Sequence, residues 1–136
     1  MRAVIDTGVL VSGLIKHNGT TGEILSSLRE GSFTAVYTTD ILVEFIDVLG
    51  RPAFSNKYHI EPDDVLAVVN LIRLRGDLVI PARKIKACRD LKDDKFIEAA
   101  VAGKADCIGS GDDDLLALTH FESIPIWQPD EFLARL

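Results

Sequence analysis

A short apolar run near the N-terminus, Ala3-Val4-Ile5, ends on a carboxylate, Asp6, and Thr7 and Gly8 follow before a helical pattern begins. A buried strand that runs into an acid, small residues and a helix is how an open parallel sheet presents a reactive group. Ligands in such sheets sit just beyond the carboxyl ends of the strands. Four further strand-like runs occupy residues 33–38, 78–81, 106–109 and 124–127. The second is rich in β-branched and aromatic residues, and Pro125 suits the last run to a sheet edge.

Helical patterns separate these runs. Thr20 or Thr21 can cap a helix whose stripe is Ile24, Leu25 and Leu28, ending at Gly31. Thr39 or Asp40 can cap the next, with Ile41, Leu42, Phe45, Ile46, Val48 and Leu49 facing inward and Pro52 stopping it. Pro62 suits the first turn of a third, which runs to Gly76 through Val65, Leu66, Val68, Val69, Leu71 and Ile72. A fourth spans residues 92–102, a short one follows residue 110, and a terminal one covers residues 130–136. Strands alternating with helices imply parallel pairing, right-handed crossovers and helices on both faces of the sheet. The expected fold class is therefore α/β: an α/β/α sandwich around a central, mostly parallel sheet of about five strands.

A chain of 136 residues suits one domain, residues 1–136. No apolar run approaches the roughly 18 residues that span a bilayer, and Asp6 interrupts any signal-peptide pattern. A cytoplasmic protein without membrane contact is expected. Cys88 and Cys107 have no Cys or His neighbour and read as two reduced thiols. The net charge of −6 argues against a non-specific nucleic-acid coat. It does not argue against a nuclease, because carboxylates that hold metal make the bare chain acidic. The stretch 73–89 runs the other way: Arg73, Arg75, Arg83, Lys84, Lys86 and Arg89 stand against Asp77 alone. It fits either a phosphate-backbone contact, with Lys16 or His17, or a solvated helix end and loop.

Four places put acid at a strand end or a helix start: Asp6; Glu44; Asp93 with Asp94; and Asp112 with Asp113 and Asp114. Glu44 stands beside Ile41 and Val48 on a helical wheel, at the border of the apolar arc, where an ionised group needs a partner. Each acid alone has an ordinary explanation, as a helix cap, a first-turn acid or a solvated side chain. If the strands bearing Asp6 and Asp112 are neighbours, all four groups point into one crevice. Several carboxylates a few Å apart do not all ionise without a cation. Oxygen ligands without His or Cys favour Mg²⁺ or Mn²⁺, and the matching chemistry is phosphodiester hydrolysis.

The chain also resembles a known family, the PIN domain, in its compact prokaryotic branch of toxin components of toxin–antitoxin pairs (VapC-like). The likeness covers nearly the whole sequence. It is carried by Asp6-Thr-Gly-Val-Leu-Val-Ser, the Glu44 helix, Leu49-Gly-Arg-Pro-Ala-Phe with Lys57-Tyr58, Cys88-Arg-Asp-Leu-Lys-Asp-Asp-Lys-Phe, and Ala105-Asp-Cys-Ile-Gly-Ser-Gly-Asp-Asp-Asp-Leu-Leu. The resemblance implies a Mg²⁺/Mn²⁺-dependent ribonuclease with strand order 3-2-1-4-5. By position it implies Asp6, Glu44, Asp94 and Asp112 as catalytic and metal-binding acids. Asp94 is chosen over Asp93 by its spacing of 16 (94 to 110) from Ser110, which stands where Thr is usual. Thr7 and Ser110 would be polar companions, and Asp114 an additional acid. It further implies an RNA substrate, a cognate antitoxin, and a homodimer to which the helix from Pro62 to Arg75 would contribute. One departure stands out: Gly8 occupies the place of a usual Asn, which removes an amide that orients neighbouring groups.

Two other readings compete. One is a catalytically weak or inactive module of the same fold that binds nucleic acid or protein. The other is a phosphotransfer or receiver domain with a strand-end Asp as phosphoacceptor, which leaves Glu44 without a use and lacks a strand-end Lys.

Overall fold

A computed structural model describes all 136 residues. Its sheet has six strands in the order β3-β2-β1-β4-β6-β5. They are β1 (Arg2–Ile5), β2 (Thr34–Tyr37), β3 (Gly76–Leu78), β4 (Cys107–Gly109), β5 (His120–Phe121) and β6 (Ile124–Trp127). All neighbours run parallel except β5, which is antiparallel to β6. The expected order 3-2-1-4-5 thus holds for the five longer strands, with β6 as the fifth. The added strand has only two residues and closes a tight hairpin, too short for a sequence pattern to register. It also moves Ile124–Trp127 one place in from the edge. Pro125 is tolerated there because so short a partner asks little of the ladder.

The helices are α1 (Thr7–Ile15), α2 (Thr20–Arg29), α3 (Thr39–Gly50), α4 (Pro52–Ser55), α5 (Pro62–Arg75), α6 (Asp94–Ala102), α7 (Asp113–Leu116) and α8 (Pro129–Ala134). The chain moves from β1 outward to β2 and β3, then returns across the sheet to β4 through α6, which packs on β1, β2 and β4. Right-handed winding therefore places α6 on the face opposite the helices that link β1, β2 and β3. Ala3, Val4, Ile5, Ala35, Val36, Cys107 and Ile108 are all buried, as strands covered on both faces require. No helix is long and apolar enough to cross a membrane.

Several boundaries moved for identifiable reasons. The cap of α3 is Thr38, whose hydroxyl accepts from the Ile41 amide at 3.3 Å, rather than Thr39 or Asp40. Gly19, not Thr20 or Thr21, caps α2. Strand β3 begins directly at the end of α5, two residues before the expected run. Gly76 permits this, since a Cβ there would lie 2.3 Å from the Ile72 carbonyl oxygen and 2.7 Å from that of Ala35. Gly13 has a similar task, letting α1 lie against α2 where a Cβ would meet the Thr21 carbonyl at 2.6 Å. Ile46 and Leu66, expected to face inward, are exposed. Helix α5 lies toward the β3 edge and buries only Val68 and Ile72 fully.

Candidate active site

The strand order reverses between β1 and β4, and a crevice opens there at the carboxyl ends of the strands. Ile5 pairs with Gly109, so the two chains leave the sheet side by side. The next residue on each is polar and buried, Asp6 on one and Ser110 on the other. The Asp6 amide is held by the Gly109 carbonyl at 3.0 Å. Asp6 also caps α1, its Oδ1 accepting from the Val9 amide at 2.8 Å. Its Oδ2 accepts from the Ser110 hydroxyl. Ser110 Oγ in turn accepts the Asp112 amide at 3.0 Å, and Asp112 caps α7 by accepting from the Asp114 amide at 2.7 Å. One hydroxyl thus sets the spacing of two acids that sit on different strands.

Asp6, Glu44, Asp93 and Asp112 all line one cavity of about 390 Å³, with Thr7, Gly8 and Ser12 among its other walls. Glu44 reaches it from α3 and is met by the ammonium of Lys95 on α6. That partner supplies the counter-charge that an acid at the border of a buried stripe needs. The adjacent acids at the start of α6 diverge. Asp94 is buried and is not among the cavity's walls, its Oδ1 accepting from the backbone amides of Ala87 at 3.1 Å and Cys88 at 2.8 Å. Glu98, one helical turn on, accepts the Ile85 amide at 2.9 Å. Together they fasten the irregular segment between β3 and α6 to the helix. Asp93 instead faces the cavity, and its Oδ2 is buried with no hydrogen-bond partner. Thr7 is in the same condition: its residue is buried, it lines the cavity, and its hydroxyl has no partner.

Electrostatics follow the crowding. Burial, reinforced by the charge of Asp112, raises the pKa of Asp6 above its ordinary 3.8, while hydrogen bonds from Ser110 and the Val9 and Gly111 amides oppose the rise. Asp93 is pushed up to about 6, first by burial and then by the charges of Asp112, Asp90, Asp114 and Asp6. Both shifts express first the cost of burying a carboxylate and then the repulsion of neighbouring acids. Because its folded value lies above 3.8, Asp93 favours the cation-free fold most below about pH 4, and that contribution is lost as pH rises through about 6. In a chelating buffer, the Tm of the wild type relative to Asp93→Asn is therefore expected to fall from pH 4 to pH 7. Parallel melting curves for the two proteins across this range would contradict the assignment.

A second group of acids adjoins the first. Asp90, Asp93 and Asp114 offer oxygens that lie within 4.8 Å of one another. Asp90 did not stand out in the sequence, although its spacing from Asp93, one turn of a tight helix, was a usable signal. This trio is tighter than the cavity set, but two of its members have protein partners: Arg89 ion-pairs Asp114, and Asp90 accepts the Lys92 amide at 3.0 Å. Asp93 belongs to both groups, and Thr7, the other residue with an unpartnered buried oxygen, lines the cavity. Asp113 is exposed and lies outside it. Nothing in the backbone demands Gly8, where a Cβ would meet only Asp6 Oδ1 at 3.6 Å. In the basic stretch, Arg83 is paired with Glu122 and Arg89 with Asp114. Cys88 and Cys107 are free and buried, and burial pushes both thiols up to about 12, leaving them protonated and inert at neutral pH.

Comparison with known proteins agrees with this architecture. A chain in the crystal structure of VapBC2 from Rickettsia felis, bound to a DNA fragment from their promoter, superposes with a TM-score of 0.60 over 94% of this chain and 98% of that one, at 12% identity. An uncharacterized protein of Methanocaldococcus jannaschii is 32% identical over 118 residues, which cover 87% of this chain and 75% of the relative. The family model described as PIN domain matches residues 2–114, a span that takes in β1 through the start of α7 and every acid of the cavity. The chain belongs to the PIN domain family.

Proposed function

We propose that the chain is a divalent-cation-dependent endoribonuclease and the toxin of a toxin–antitoxin pair. The observation that carries this reading is the cavity itself: Asp6, Glu44, Asp93 and Asp112 converge there, and two buried oxygens, Asp93 Oδ2 and Thr7 Oγ1, are left without a partner. An all-oxygen donor set with surplus negative charge fits Mg²⁺ or Mn²⁺. Membership of a family whose members are generally nucleases supports the same chemistry.

In this reading Asp6, Asp93 and Asp112 hold the cation, and Glu44 either joins them or orients water. When bound, such a cation supplies Lewis-acid chemistry, acidifying water and offsetting charge on a phosphate. The protein's own share is positioning. Ser110 and the Val9 amide fix both oxygens of Asp6 before any ligand arrives. The Asp114 and Leu115 amides both donate to Oδ1 of Asp112 and fix that one oxygen. Thr7, whose buried hydroxyl has no protein partner, lines the same cavity. Lys95 supplies the counter-charge of Glu44 and holds its carboxylate at the cavity. Asp94, first in line by spacing, takes a structural role, and Asp93 takes its place as third acid.

The fold shared with a chain of VapBC2 supports an antitoxin partner. Leu66 and Leu74, both well exposed on α5, support a homodimer through that helix. A cytoplasmic location goes with this role. Single-stranded RNA incubated with the protein and Mn²⁺ is expected to be cut, and EDTA is expected to stop the cutting. RNA left intact in both Mn²⁺ and Mg²⁺, or cleavage that survives chelation, would contradict the reading.

A further inference from the structure

We propose that the groove adjoining the acid cavity holds an unpaired nucleobase of the RNA strand, with Tyr58 as its stacking surface; this rests on the ribonuclease reading above. The groove has a volume of about 430 Å³ and shares Thr7, Gly8, Ser12 and Glu44 with the acid cavity. A strand with one phosphate at the acids therefore has its neighbouring nucleotide over this groove. Beyond the shared wall the lining changes from carboxylates to Val11, Ile15, Val48, Phe54 and Tyr58, with Lys16 as its cation. The volume lies within the range of about 300–1,000 Å³ usual for small-ligand sites.

Tyr58 is 40% exposed, an aromatic ring left in water beside a reactive centre. Phe54 supports it, with ring centroids 6.1 Å apart. The Lys57 ammonium sits 5.2 Å from the Tyr58 centroid. On its other side Tyr58 borders a hollow that His17 and His59 also line. In a chain of net charge −6, an aromatic flanked by Lys16 and Lys57 is matched to a ligand that is flat and apolar at one end and anionic at the other. A nucleotide has that form. Bases of a duplex stay stacked on one another, so the ligand is a single strand or a loop whose bases can splay onto aromatic side chains. An apolar peptide would use the walls but neither the cations nor the junction with the acids.

Gly8 sits at that junction. The space above its backbone is open, and the only atom near a Cβ there is Asp6 Oδ1 at 3.6 Å. The missing side chain leaves the cavity and the groove continuous.

The test is a double-mutant cycle with the whole chain. A labelled single-stranded oligoribonucleotide is titrated in Ca²⁺, intact or with one abasic position moved along the strand. For the wild type, one abasic position is expected to weaken binding about tenfold, the effect of one lost base–aromatic stack. Tyr58→Ala is expected to lose about tenfold on intact RNA and nothing more at that abasic position, while Tyr58→Phe retains wild-type affinity. Tyr58 is exposed, and matching circular dichroism spectra check that the variants are folded. Unchanged affinity in Tyr58→Ala, or losses that simply multiply, would overturn the groove assignment and leave the ribonuclease reading standing. A wild type that neither binds RNA nor cuts it with Mn²⁺ would overturn both.

Discussion

Asp94→Ala is expected to lose about 3 kcal/mol of stability, a fall in Tm on the order of 10 °C, whereas Asp93→Asn melts at or above the wild-type temperature. The two residues adjoin in sequence, yet the chain uses them in opposite ways. The Asp94 carboxylate is buried and accepts from two backbone amides of the segment before α6. Its removal strands both donors, each worth about 1–3 kcal/mol when left unsatisfied. The loop they anchor also carries Ile85 and Cys88 into the core, so the damage extends beyond the two bonds. Asp93 holds no such bond. Its Oδ2 is unpartnered, and burial, then neighbours of like charge, raise its pKa to about 6. Neutralising it relieves repulsion in the cation-free protein. The cost appears in function, because a member of the proposed ligand set is gone. Chemical or thermal denaturation in EDTA, followed by a cleavage assay at a temperature where all three proteins are folded, checks the pair. Equal stability of the two variants, or full activity in Asp93→Asn, would reverse the roles assigned here.

The second large effect concerns Asp6. Asp6→Asn is expected to reduce RNA cleavage by roughly 10³-fold while leaving the fold intact. The amide preserves the acceptor for the Val9 N–H and hence the cap of α1. It removes the one charge that lies at the meeting point of β1 and β4, hydrogen-bonded to Ser110 and facing Asp112. A cation is worth several kcal/mol of transition-state stabilisation, and each 1.36 kcal/mol is a factor of about ten. Because burial and Asp112 both disfavour the ionised form of Asp6, the variant should also unfold at a slightly higher temperature in chelator. Rate measurements over equal concentrations of folded protein, with Mn²⁺ present, check the first statement. Cleavage by Asp6→Asn at the wild-type rate would remove Asp6 from the reaction.

Much of this arrangement was legible in the chain. Ala3-Val4-Ile5 and Cys107-Ile108-Gly109 read as buried strands because no polar residue interrupts them, and β-sheet geometry then dictates that Asp6 and Ser110 emerge together. Glu44 was visible because its place on the α3 wheel borders Ile41, a buried position. The choice between Asp93 and Asp94 was not legible. Adjacent helix-start residues point in directions about 100° apart, and which direction is the cavity depends on where the segment before α6 settles. Spacing from Ser110 points to Asp94, whose Oδ1 accepts from the backbone amides of Ala87 and Cys88, while Asp93 lines the cavity. Lys95 escaped notice for a related reason: its partner Glu44 is 51 residues away, and only the packing of α3 against α6 brings them together. Leu66 and Ile46 were placed in the core because an apolar stripe has the same pattern whether it meets a sheet, a partner or water. The groove beside Tyr58 was invisible as well, since it is assembled from α1, α3, α4 and the segment after α4.

The measurement that bears most directly on the cavity is a calorimetric titration of Mn²⁺ into the chelator-stripped protein at pH 6, in two buffers of different ionisation enthalpy. The account predicts saturable uptake by the wild type with proton release, because the Asp93 carboxyl is pushed up to about 6 and loses its proton to the buffer when a cation binds. It predicts no such uptake by Asp6→Asn or Asp93→Asn, and retained uptake by folded Asp94→Ala. Identical Mn²⁺ isotherms for the wild type and Asp6→Asn would contradict it.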